Sequence, residues 1–288
     1  LDLKEPVAKH ASRPLVVANP AFDQGRGKTI AQATTTQSIA SAIRSDSQQR
    51  SGELADLQFD PLPGTAREGQ AIAAITGARL LEQQQATANA INEQASPRLL
   101  HLATHAYYLP DQPAEELSDL GIQLTAPSSI RTRSGRAENP LLRSGIALAG
   151  ANHPESNPAD DGHLTALEVA QLDWDGTELV VISACESGLG DIKSGEGVYG
   201  LKRAIAVAGA RSSLLSLWKV DDDATAAFMK SFYNYLKDGK GRADALATTQ
   251  EDFRLGKVSN SDPLNDWTRP YFWAAFQLSG DWKPIQGI

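Results

Sequence analysis

The sequence predicts an α/β fold in which helices cover both faces of a mostly parallel sheet of six to seven strands. Three observations lead there. Short apolar runs of strand length alternate with segments of helical spacing, the order expected when helices pack on a parallel sheet. The run VVISA at 180–184 is apolar and β-branched almost throughout, which marks a strand buried on both sides. At 288 residues the chain can bury one large core, and a single domain over 1–288 is expected.

In chain order, LVVAN at 15–19 reads as the first strand, and Thr65 to Thr76 follows as a helix after the turn residues PLPG. A weaker strand is expected at ARLLE, 78–82, then a helix from Ala86 to Glu93 and a strand LLHLAT at 99–104. GIALAG at 145–150 is the next strand and Thr165 to Gln171 the next helix. ELVVISA at 178–184 leads to a helix from Gly197 to Ala208, and SSLLSLW at 212–218 to one from Asp221 to Lys237, which opens on acidic residues suited to a helix start. Arg242 to Leu255 is the last long helix, and FWAAFQL at 272–278 the last strand. Two stretches break this regularity and read as insertions or mobile loops. Residues 24–55 are dense in Gln, Ser and Thr, with a possible helix near Gln32 to Arg44; residues 107–142 carry Pro110, Pro113 and Pro127 and the cluster Arg131, Arg133, Arg136. That arginine cluster reads as a solvated loop, with self-cleavage or plugging of an acidic pocket as alternatives.

Composition excludes several classes of function. A net charge of −8 offers no general attraction for nucleic acid or anionic lipid, and no apolar stretch approaches the roughly 20 residues that cross a bilayer. Neither partner is expected. One cysteine permits no internal disulfide framework and no thiolate cluster for zinc, so a reducing, cytoplasmic setting follows and no cofactor or metal is called for. Leu1 stands where a methionine would, without a charged-then-apolar leader, so the domain is expected to be the C-terminal part of a longer protein.

In open parallel sheets the carboxyl ends of the strands gather the loops that bind ligands. Three such ends carry chemistry here: HLATHA at 101–106, ISACESG at 182–188 and LWKVDDD at 217–223. They supply a base, a sulfur and a block of carboxylates. A thiol is a far better nucleophile as the thiolate, so Cys185 needs an imidazole beside it in space, and His105 fits. The alternative is that Cys185 is a small buried hydrophobe. Its polar neighbours Glu186, Ser187 and Gly188 end the strand at the surface, and Gly188 with Gly190 lets backbone N–H groups turn toward a carbonyl. His101 sits inside the apolar run and reads as a satisfied core residue; a zinc site from His101 and His105 lacks the glutamate of the helical zinc-protease motif and sits on a strand. Of Asp221, Asp222 and Asp223, at least one is expected to cap a helix, and the excess could form an acidic pocket for a cationic side chain. GEGVYG at 195–200 imitates a dinucleotide fingerprint, but ten residues separate it from the strand at Ala184, too far for pyrophosphate to meet both strand end and helix start. Asp160 and Asp161 before Gly162 are too short a pattern for a calcium site.

VVISACESGLG, GEGVYGLKRAIAVAGARSSLLSLWKVDDDAT, HLATHA, NPLLRSGIALAGAN, LTALEVAQLD and YFWAAFQLSG together resemble the CHAT domain, a caspase-like cysteine peptidase domain, over about Leu15 to Trp282; PLVVANPAF and PLPGTAREGQAIAAI fit the same pattern, and the cyanobacterial HetF type is the named member it resembles first. The resemblance implies a caspase-like α/β/α sandwich and a dyad of His105 and Cys185. It further implies an oxyanion hole of backbone N–H groups at Ala106 and Cys185. The family has glycine after its histidine where this chain has Ala106, which bears on the geometry of that hole.

LWKVDDD also resembles a segment of the related separases in which an aspartate binds the arginine before the scissile bond. This implies Asp222 as the pocket residue, with Asp221, Asp223, Trp218 and Ser183 around the substrate, and arginine preferred over lysine because a carboxylate grips guanidinium through two parallel bonds. The expected partners are a protein substrate with a basic residue before the cleaved bond and a regulatory N-terminal module or partner protein. The alternative function is a catalytically inactive caspase-like scaffold that binds a protein partner.

Overall fold

The computed structural model describes residues 11–25, 54, 57–109, 139–183, 185, 186, 196–260 and 264–288. Most of the two expected insertions, with Arg131, Arg133 and Arg136, lies outside these residues, as do Gly188 and Gly190. The described strands are β1 (Leu15–Pro20), β2 (Arg79–Gln83), β3 (Leu99–Ala103), β4 (His105–Tyr108), β5 (Ser144–Ala147), β6 (His163–Thr165), β7 (Leu179–Ile182), β8 (Cys185–Glu186), β9 (Ser212–Ser216) and β10 (Phe276–Gly280). The helices are α1 (Pro63–Thr76), α2 (Ala88–Asn92), α3 (Ala166–Val169), α4 (Glu196–Val207), α5 (Asp222–Lys237), α6 (Arg242–Arg254) and α7 (Pro270–Trp273).

The main sheet has six strands in the order β10-β9-β7-β3-β1-β2. Only β10 is antiparallel to its neighbour. Alternation along each strand sends side chains to two different layers. Leu15, Val17, Leu100, Leu102, Val180 and Ile182 pack with Ile91 of α2, Val169 of α3 and Leu201 and Ile205 of α4. Val16, Leu99, Leu179, Val181 and Leu214 pack with Ile72 of α1, Phe228 and Phe232 of α5 and Phe253 of α6. The result is the expected α/β/α sandwich.

Local chemistry sets the helix ends. Pro63 opens α1, where its missing N–H costs nothing, and Gly77 closes it at φ 65°, a left-handed conformation that glycine adopts without steric cost. In α3, Thr165 and Glu168 form a reciprocal capping box. Asp221 caps α5 by accepting the N–H groups of Asp223 and Ala224, the capping role expected of one member of that acidic block.

Three expectations change. A second sheet, ordered β6-β5-β4-β8, exists beside the first, and the expected strand at 145–150 belongs to it. Tyr107 and Tyr108, placed at the start of an insertion by the sequence, are core residues of β4. The expected strand at 272–278 divides: Pro270 starts a helical turn that runs to Trp273, and pairing with β9 begins only at Phe276.

Candidate active site

The second sheet is what positions the site. β3 and β7 are parallel neighbours in the main sheet, with Leu99 opposite Leu179 and Leu102 opposite Ile182. Beyond Ala103 the chain leaves that sheet at Thr104, whose buried hydroxyl donates to the carbonyl of Ala147 at 2.7 Å. It then continues as β4, and β7 is continued by β8. The pairing register is the same after the switch as before it, with His105 opposite Cys185 and Ala106 opposite Glu186. Adjacent strands run roughly 4.8 Å apart, so the two candidate catalytic residues occupy neighbouring backbone positions.

His105 is buried, at 6 % exposure. Its Nε2 lies 2.8 Å from the carbonyl oxygen of Asp60. A carbonyl only accepts, so Nε2 carries the proton, and in the neutral ring Nδ1 holds the lone pair. The ring packs against a pair of touching phenyls, Phe22 at a centroid distance of 5.2 Å and Phe59 at 5.7 Å, which lie 5.9 Å from each other. These aromatics belong to a small core with Leu57, Leu62, Tyr107 and Ala151, so side chains on both sides of Asp60 are buried in it. Ala106 is buried in β4 and is not among the described residues with positive φ. Its backbone lies in a region open to any L-residue, so alanine carries no conformational strain there.

The acidic block lies at the carboxyl end of β9. Asp221 is committed to the cap, and Asp223 forms an ion pair with Arg67 of α1. Asp222 is half-buried on the first turn of α5, against Gly64 of α1; a β-carbon at 64 would stand 2.7 Å from that of Asp222. Trp218 is half-buried and its indole N–H donates to the carbonyl of Tyr271 at 3.0 Å. Ser183 is placed otherwise than as a substrate contact. It is 3 % exposed, with its hydroxyl 3.4 Å from Nε2 of His101, because alternation along β7 turns it toward α1 and α5.

His101 is the satisfied core residue that the sequence suggests. Nε2 lies 3.0 Å from Oε1 of Glu68 and Nδ1 lies 3.2 Å from the hydroxyl of Tyr233, with Glu68 and His101 each 1 % exposed. Burial, and then the negative charge of Glu68, hold the Tyr233 phenol well above its ordinary value of 10.0. Among the described residues no group of three His, Cys, Asp or Glu could hold a metal ion. Asp160 and Asp161 instead accept the backbone N–H groups of Asn89 and His163. No helix among them is long and apolar enough to cross a membrane.

Sequence reasoning missed Asp60, Phe22 and Phe59. PAF at 20–22 and PLPG at 61–64 were visible as motifs, but a carbonyl and two rings that act on a distant imidazole leave no mark in local periodicity.

Comparison with known proteins adds the following. The family model described as "CHAT domain" matches residues 1–281. The chain is 25 % identical over 233 residues to tetratricopeptide repeat protein 28 of Homo sapiens, a match covering 77 % of this chain and 8 % of that protein. It is 23 % identical over 233 residues to tetratricopeptide repeat protein 28 of Mus musculus, covering 77 % and 9 % respectively. The chain thus spans less than a tenth of the length of these relatives.

Proposed function

Because this chain belongs to the CHAT domain family, we propose that it is a cysteine endopeptidase that cleaves a protein substrate after arginine. One observation supports this above the others: the unbroken register that sets His105 beside Cys185 across two neighbouring strands. In this reading Nδ1 of His105 takes the proton of the Cys185 thiol, and the thiolate attacks the carbonyl carbon of the scissile bond. The tetrahedral oxyanion is met by backbone N–H groups at Cys185 and Ala106, the second on a backbone that alanine adopts freely. The imidazolium then gives its proton to the departing amine. Water, deprotonated by the same ring, releases the acid from sulfur and restores the thiol.

Asp222 is our assignment for the substrate guanidinium. It stands at the same sheet edge as the dyad, and its partial burial against α1 strengthens a paired charge relative to one in open water. Trp218, four residues before it, is our assignment for an apolar wall of the pocket. The reading places the protein in the cytoplasm, with a regulatory helical-repeat module or partner governing access to the site.

The test is labelling of Cys185 by an arginyl chloromethylketone, read by mass spectrometry, together with cleavage of peptides that differ only in arginine, lysine or alanine before the cut. Labelling should require His105 and cleavage should follow arginine. A well-folded domain that takes no label, or that cuts the alanine peptide as fast as the arginine one, defeats the proposal; the first result would favour a binding scaffold.

A further inference from the structure

We infer that Asn152 is a positioning residue for His105, acting through the Phe59–Asp60 segment. This deepens the peptidase reading and rests on it. Asn152 lies in the loop after β5 and makes four hydrogen bonds that converge on the surroundings of the imidazole. Its Oδ1 accepts the N–H of Phe59 at 2.8 Å, and its Nδ2 donates to the carbonyl of Phe59 at 3.1 Å. The second Nδ2 hydrogen goes to Oδ1 of Asp23 at 3.0 Å. The backbone N–H of Asn152 donates to the carbonyl of Phe22 at 3.0 Å.

The amide therefore binds Phe59 as a neighbouring strand would, by donor and acceptor together. Its orientation is fixed, because the N–H needs the oxygen and the carbonyl needs the nitrogen. Phe59 and Phe22 are the two touching rings against which His105 packs, and the residue after Phe59 is Asp60, whose carbonyl holds Nε2–H. One residue thus ties both ring-bearing segments together: its side chain sets Phe59 and the adjoining Asp60 carbonyl that selects the tautomer, and its backbone N–H, with the side-chain bond to Asp23, holds the Phe22 segment. No other residue type supplies an acceptor and two donors at this reach. Aspartate lacks the donors, and its charge would face the Phe59 carbonyl and Asp23.

The experiment compares wild type with Asn152→Ala and Asn152→Asp. Two-bond proton–nitrogen spectra of protein labelled at its five histidines, with His105 assigned through a His105→Gln variant, report the tautomer. Hydrolysis of a fluorogenic arginyl peptide amide reports catalysis. In wild type His105 should be held as the Nε2–H form. In Asn152→Ala its two nitrogen shifts should converge toward a mixture, with kcat down by about 10- to 100-fold and KM within about twofold, the cost of misplacing a catalytic group by an ångström or less. If Asn152→Ala does not fold, Asn152→Asp, which keeps the bond from the Phe59 N–H, is read in its place. An unchanged tautomer together with unchanged kcat in a folded variant overturns the inference. A tautomer shift in a domain that hydrolyses nothing upholds Asn152 as the positioning residue while ending the peptidase reading.

Discussion

Replacing Glu68 with alanine should remove a contact on which four elements converge. Glu68 comes from α1, His101 from β3, Ser183 from the end of β7 and Tyr233 from α5, and the Glu68 and His101 side chains are each 1 % exposed. The loss is the bond between the imidazole and a buried carboxylate, with only the longer Ser183 hydroxyl contact of 3.4 Å left at Nε2, together about 3 kcal/mol. For a domain of this size that lowers the melting temperature by about 6 °C. The double replacement Glu68→Leu with His101→Phe should be less damaging than Glu68→Ala alone. It removes both polar partners and refills the space, leaving about 1–3 kcal/mol for the Tyr233 hydroxyl that loses its imidazole. Urea unfolding followed by tryptophan fluorescence measures both, with a constant denaturant slope as the control for two-state behaviour. A Glu68→Ala variant within about 1 kcal/mol of wild type, well under the cost of one broken buried pair, would refute this account.

The same cluster should shape the alkaline limit of stability. An unfolded tyrosine loses its proton near 10.0, whereas burial and Glu68 keep the native Tyr233 protonated above that value. Above it the unfolded state binds fewer protons, so stability falls as pH rises, by up to about 1.4 kcal/mol per pH unit for this one group. Tyr233→Phe should flatten that decline in urea midpoints measured from about pH 9 to 11; an equally steep decline would exclude Tyr233 as its source. At the opposite edge of the sheet Arg242, 1 % exposed, bonds Glu178 and Asp281 at 3.1 Å each and the Lys283 carbonyl at 3.1 Å. Arg242→Met should cost about 3 kcal/mol, the low end for a buried pair because both carboxylates keep some solvent, and should expose residues 283–288 to proteases. Undiminished stability with a protected C-terminal tail would show that this network does not hold the tail.

The sequence by itself determined the order of strands and helices in the main sandwich, because burial on two faces writes a continuous apolar run and a helix start writes a cap. VVISA, and a cap somewhere among Asp221, Asp222 and Asp223, were legible for that reason. It also nominated His105 and Cys185, since both stand where an apolar run meets polar residues at a strand end. The second sheet was not legible. Its strands are two to four residues long, too short to show alternation, and the switch at Thr104 depends on a carbonyl 43 positions away. Only the tertiary structure decided that His105 and Cys185 share a register, that Asp60 fixes a tautomer, that Ser183 turns inward to His101, and that Glu68 and Tyr233 bond opposite nitrogens of His101. Each of these joins residues far apart along the chain. Local propensity acts over a few residues, whereas pairing and packing act across whatever distance the fold has closed.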